Sequence, residues 1–95
     1  MAQCLTNVEC RTTPAASAQF THTMIVGRQY YLISDVDCWY ALGANPTAAI
    51  GTTGSTFLGA RTRVPLAKVA SATKIALIAA SATGNASLDI LEGSV

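Results

Sequence analysis

The chain has one histidine, His22, and this scarcity restricts its chemistry from the start. A nucleophile activated by a base needs an imidazole beside a serine or cysteine, with an acid to orient the ring. The single imidazole sits instead in an alternating Thr21-His22-Thr23 context, which places it on a strand face. No catalytic residue is assigned, and the chain does not read as an enzyme. The three cysteines, Cys4, Cys10 and Cys38, are an odd set without CxxC spacing, so a zinc site is not indicated either. They read as small buried hydrophobes that persist as free thiols in a reducing cytoplasm. Gly51 and Gly54 are not followed by the Lys-Ser/Thr of a phosphate loop, and no cofactor is expected.

Charge is scarce as well. Charged residues make up 12% of the chain, against about 25% in an ordinary soluble domain. Six basic and five acidic residues, net +1, are scattered without a stripe that would neutralise a run of phosphates, so nucleic acid is not an expected partner. The longest apolar tract, residues 66–82, is interrupted by Lys68, Lys74, serine and threonine, and is not read as a membrane span. The first residues lack a basic region followed by an apolar core, so no secretory signal is expected, and Asn85-Ala86-Ser87 is taken as a chance match to a glycosylation acceptor.

What the chain does have is apolar residues, 51% of the total, in short segments separated by Gly-, Ser- and Thr-rich breaks. A domain of 95 residues buries only about 60–65% of the surface its unfolded chain exposes, and few charges are available to coat it. Either serine, threonine and alanine cover the outside, or part of it is buried against other chains, and the second is preferred. The segment Val36 to Leu42 alternates Val36, Cys38, Tyr40 and Leu42 with Asp35, Asp37, Trp39 and Ala41, and Asn45-Pro46 ends it. Similar short runs occur at residues 3–10, 20–26, 29–34, 56–58, 62–69, 74–80 and 86–91. Gly27-Arg28 has the length and leading glycine of a two-residue type II′ hairpin turn, and Pro65 pushes its strand toward a sheet edge. Residues 11–18 read as a linker and residues 47–55 as a loop. Within 66–82 a helix competes with two strands, and β-branched Val69, Thr73, Ile75 and Ile78 favour strands. The expectation is an all-β chain, a small antiparallel, jelly-roll-like β-sandwich of about eight short strands at residues 19–95, preceded by an N-terminal strand or arm plus linker at 1–18.

Five side chains are candidates for contact with a partner: Trp39, Asn45, Phe57, Arg61 and Arg63. Trp39 is either an exposed platform for protein or sugar or the inward anchor of the core. Phe57 and Leu58, after the glycine-rich loop, are placed to close one end of the core. Arg61 and Arg63, two apart, would share a strand face, either clamping a partner carboxylate or forming a solvated edge. Asp35 and Asp37 share a face too, yet calcium needs six or more oxygens and only Asn45, Asp89 and Glu92 are left to add them, so no metal is assigned.

Together, the hairpin strands 20–25 and 29–33, Ser34-Asp35-Val36-Asp37-Cys38-Trp39, Leu42-Gly43-Ala44-Asn45-Pro46-Thr47-Ala48, Ser55-Thr56-Phe57-Leu58, residues 64–69, Lys74-Ile75-Ala76-Leu77-Ile78 and residues 84–91 resemble small virion proteins of tailed bacteriophages. The likeness covers residues 19–92 and leaves 1–18 unmapped. It implies a capsid decoration, or cement, protein: a homotrimer or homodimer on the capsid exterior, made in the host cytoplasm, that bridges copies of the major capsid protein. A tail or neck component of the virion, and a carbohydrate-binding module built on Trp39 with Asp35, Asp37 and Asn45, are the alternatives.

Overall fold

A computed structural model describes residues 5–51, 54–66, 69 and 71–91. The alternating segments form eight strands: β1 (Leu5–Thr13), β2 (Ala18–Gln19), β3 (Tyr30–Ser34), β4 (Cys38–Gly43), β5 (Thr56–Leu58), β6 (Val64–Leu66), β7 (Lys74–Ala79) and β8 (Gly84–Leu91). No helix occurs among the described residues. Of the stretch in which a helix competed, 74–79 is strand, while residues 67, 68 and 70 lie outside the description, as do Cys4 and Glu92.

Every strand pair is antiparallel, and the pairing joins the first strand to the last. β1 pairs with β8, β2 with β7, β3 with β6 and β4 with β5. Two further pairings, β3 with β8 and β4 with β7, complete sheets of order β1-β8-β3-β6 and β2-β7-β4-β5. This is one long hairpin, its tip between β4 and β5, doubled and rolled so that successive strands fall in opposite sheets. The described residues thus form an all-β, eight-stranded jelly-roll sandwich.

Rolling the hairpin displaces several locally expected turns. Only β4 and β5 are neighbours both in sequence and in a sheet. Residues 20–26 are not a strand: the chain crosses here between sheets, and Phe20 and Met24, each 1% exposed, are buried in the core as it passes. One isolated bridge, Met24 to Thr73, is all the ladder it makes. Gly27-Arg28 is not a II′ hairpin turn. The Arg28 amide donates to Ile25 O at 3.3 Å, with Gly27 third in the turn at φ 78°, as a type II turn requires. Thr83-Gly84-Asn85 likewise leads from one sheet to the other rather than forming a hairpin. β1 runs through Thr13, into the expected linker, and pairs along nearly its whole length with β8. Pro65 does lie on an edge strand, β6, where its missing amide costs no ladder bond.

The core lies between the sheets. Tyr30, Leu32, Leu66, Leu88 and Ile90 face Cys38, Leu58, Ile75 and Leu77, and burying each large aliphatic side chain contributes about 1.5–3 kcal/mol. Along one side, edge strands β1 and β2 leave a gap, and β1 closes it with charged side chains. A bulge between Asn7 and Glu9 packs Val8 against the core. The Glu9 carboxylate then accepts the amides of Thr21 and His22 at 2.9 and 2.8 Å, and Arg11 donates to Gln19 O and lies 6.0 Å from the Phe20 ring centroid.

Connections collect at the two ends. At one end, Ala79 N donates to Pro14 O, Arg61 N to Ser34 O and Ala80 N to Asp37 O, which ties together the links β1–β2, β3–β4, β5–β6 and β7–β8. At the other, Gly27 N donates to Val69 O and Met24 N to Thr73 O, joining the β2–β3 and β6–β7 links.

Candidate contact surfaces

Trp39 settles on the outside. Strand alternation turns Cys38 and Tyr40 toward the core and Trp39 away from it, next to Phe57 of β5 and Ile78 of β7 in register. The Trp39 and Phe57 rings meet edge to face, centroids 5.4 Å apart at 66°, an arrangement favoured by their quadrupoles. Phe57 does not close the core. It is 49% exposed, whereas its neighbour Leu58, at 3%, is buried there, because adjacent strand residues point to opposite faces.

The rest of this outer face is roofed by the β4–β5 connection. Gln19 Nε2 donates to Asn45 Oδ1 at 2.8 Å and to Pro46 O at 3.0 Å, and Ala48 N donates to Ser17 Oγ at 2.9 Å. Ala48 is thereby set on Ala41 and Ala76. Asn45 is consequently a tie to β2, past the far end of β4 from Trp39, and the structure does not bring the two together. What stays open is Phe57 on edge strand β5, with partly buried Trp39 beside it and Ile78, also partly buried, packed against the alanines under the roof.

Arg61 and Arg63 do not share a strand face, because β6 begins only at Val64. Arg61 occupies a turn closed by Thr62 N on Gly59 O at 3.2 Å, with φ 59°, a left-handed conformation uncommon outside glycine. Arg63 reaches across the outer face of the first sheet, its Nη2 3.3 Å from Asp89 Oδ2. The other carboxylate oxygen of Asp89 accepts Ser87 Oγ at 2.8 Å and Asn7 Nδ2 at 3.1 Å, and Asn7 Nδ2 also reaches Ser87 Oγ at 2.7 Å. Asp89 is 7% exposed and fully partnered, which is how a carboxylate tolerates such burial. This cluster was missed in the sequence. Its one visible signal was Ser87 and Asp89 on the same parity of a strand.

Arg61 also lines a groove of about 440 Å³ with Cys10, Ile33, Asp35, Asn85 and Ser87. Cys10 is exposed, contrary to the expectation of a buried thiol, because the bulge before it turns it to the outer face. Cys38 is buried as expected, and burial pushes its thiol pKa up; Asp37 adds to this and a Ser34 hydrogen bond opposes it. Asp35 and Asp37 precede β4 rather than sharing one of its faces. Asp35 Oδ1 accepts Asn85 N at 2.8 Å and Asp37 Oδ1 accepts Ala60 N at 2.7 Å, so each fixes a different connection. His22 is in the crossing between sheets, not on a strand face, with Nε2 2.9 Å from the Tyr30 hydroxyl.

Compared with protein-family models, with curated proteins and with solved structures, the chain finds no match in any of the three.

Proposed function

We propose that the chain is a structural virion protein that decorates and cements a phage capsid by bridging major capsid protein subunits, with copies of itself as its other partners. A tail or neck position in the same virion is the alternative form of this role. The observation that carries it is the exposed Phe57 ring, set edge to face on partly buried Trp39, on edge strand β5. Large aromatics at a strand edge are what interfaces bury at their centres. The low charge of the sequence and its resemblance over residues 19–92 point the same way.

Cementing by such a patch is additive. Covering the exposed half of one phenylalanine contributes on the order of 1 kcal/mol, and symmetry repeats that contact at every seam, so modest single affinities become firm attachment. The test is cosedimentation of the purified chain with undecorated phage heads, alongside its mass by light scattering. A homo-oligomer that pellets with heads is expected, and Phe57→Ser should weaken the affinity for heads about fivefold, the ratio that corresponds to 1 kcal/mol. A monomer that stays in the supernatant overturns the proposal, and glycan binding lost in Trp39→Ala would replace it with the carbohydrate-binding reading.

A further inference from the structure

The β2–β3 crossing, residues 20–29, carries two exposed aliphatic side chains at its turn, Ile25 at 50% and Val26 at 54%. Its root is fixed by the Glu9 carboxylate on the amides of Thr21 and His22, and its far side by the amides of Met24 and Gly27 on Thr73 O and Val69 O. Between these anchors stands one side-chain pin. The Tyr30 hydroxyl, on a residue with 0% exposure, accepts the Ile25 amide at 3.0 Å and lies 2.9 Å from His22 Nε2.

The hydrogens on that pin can be counted. A phenol has one hydrogen to donate and two lone pairs. One lone pair takes the Ile25 N–H, so the phenol hydrogen needs an acceptor, and His22 Nε2 supplies it when the ring carries its proton on Nδ1. That assignment satisfies all three groups. Placing a second proton on the ring puts a hydrogen on Nε2 as well; the hydroxyl can take that hydrogen only on its second lone pair, which turns its own hydrogen away from the ring. Either the Tyr30 hydrogen gives up its only acceptor inside a buried site, or the ring swings away and takes the crossing with it. An unmade hydrogen bond at a buried hydroxyl costs about 1–3 kcal/mol, comparable to the free energy of holding a short loop in place.

We propose that the β2–β3 crossing is an acid-released latch: the neutral His22 ring accepts the Tyr30 hydroxyl and holds the Ile25–Val26 tip down, and protonation of the ring frees that tip. Histidine is the side chain that ordinarily changes charge between about pH 5 and 8. Among the described residues, the charged groups on the elements packed against the crossing are Glu9 and Arg11 of β1, Arg28 in the turn and Lys74 of β7. Glu9 ionised keeps the root attached while the pin opens, which makes the movement local. Ile25 and Val26 are already exposed in the latched form, so release changes the freedom of the tip and not its exposure, independently of whether the chain sits on a capsid.

The test is amide hydrogen exchange of the full chain at pH 7.5 and 5.5, with rates corrected for intrinsic pH dependence. The Ile25 amide should lose protection about tenfold or more at pH 5.5 while the core amides of Leu32 and Leu88 keep theirs. In His22→Gln, whose side-chain oxygen accepts the Tyr30 hydroxyl at every pH, Ile25 protection should be the same at both. Unchanged protection in the wild type, or an equal loss in His22→Gln, overturns the latch. Loss at Ile25 and at the core amides together does so too, since it reports global opening.

Discussion

Gly84→Ala provides the sharpest check on the jelly-roll crossing from β7 to β8. A methyl group at this position would fall on Asp35 Oδ1 and come within 2.8 and 3.0 Å of the two Val36 methyls. The backbone itself permits alanine, since Gly84 is not among the positive-φ residues, so the effect is steric alone. Pushing Asp35 aside breaks its bond to the Asn85 amide, 2.8 Å long and exposed, worth about 1 kcal/mol. Crowding Val36 adds about 1–3 kcal/mol, and the lower entropy of the unfolded alanine chain returns about 0.4–1 kcal/mol. The net is a loss of about 1–3 kcal/mol, which for a domain of this size lowers Tm by roughly 5–20 °C. Urea unfolding of four proteins, wild type, Gly84→Ala, Asp35→Ala and the double variant, separates the causes. If the methyl acts through Asp35, the double variant is more stable than the sum of the single losses by at least 0.5 kcal/mol. Strict additivity, or a Gly84→Ala protein within 0.5 kcal/mol of wild type, refutes the close approach and with it the position of the β3–β4 link under β8.

Two more outcomes follow from individual side chains. In the native protein iodoacetamide should label exposed Cys10 and spare Cys38, whose thiol is both buried and raised in pKa; peptide mapping showing Cys38 alkylated before unfolding contradicts the core assignment. Burial raises the Glu9 pKa, but the amides of Thr21 and His22, the Thr21 hydroxyl and Arg11 lower it by more, leaving it below its ordinary 4.5. A depressed carboxylate stabilises the fold above its unfolded value and loses that contribution as pH falls through the folded one. Urea midpoints of the wild type should therefore decline more steeply below about pH 4.5 than those of Glu9→Gln, and parallel curves would show that the carboxylate does not hold the crossing.

The parts of this molecule that were legible in its sequence are those decided by period-two burial. β3 alternates buried and half-buried residues along its whole length, β7 and β8 are rich in buried apolar residues, and Asn45-Pro46 stops β4 by removing a donor. Alternation says which residues are inside, but it is silent about which strand lies alongside. The default local reading was therefore a hairpin at Gly27-Arg28, and it failed because residue 20 has to leave one sheet and residue 30 has to arrive in the other. Phe20 and Met24 satisfy the same alternation as a strand while serving as plugs between layers, so the pattern alone does not separate the two cases.

The charged residues failed for a related reason. Asp35 and Asp37 looked like face residues because their parity fits a strand, yet their carboxylates, like that of Glu9, end on backbone amides distant in sequence, at Asn85, Ala60 and Thr21. In a fold whose first strand pairs with its last, the amides freed at each crossing belong to connections that meet only after rolling. Asp35 and Asp37 just before β4, and Glu9 beside the bulge of edge strand β1, are the groups that satisfy them. Trp39 and Phe57 are the counterpart on the apolar side. Their parity was readable, but their outward sense was fixed only when Cys38 and Leu58 were claimed by the core, and that claim depends on β4 lying between β7 and β5. Glu9, Arg11, Asp35 and Asp37 are thus committed to holding crossings, and the Phe57–Trp39 pair is what remains to meet a neighbour.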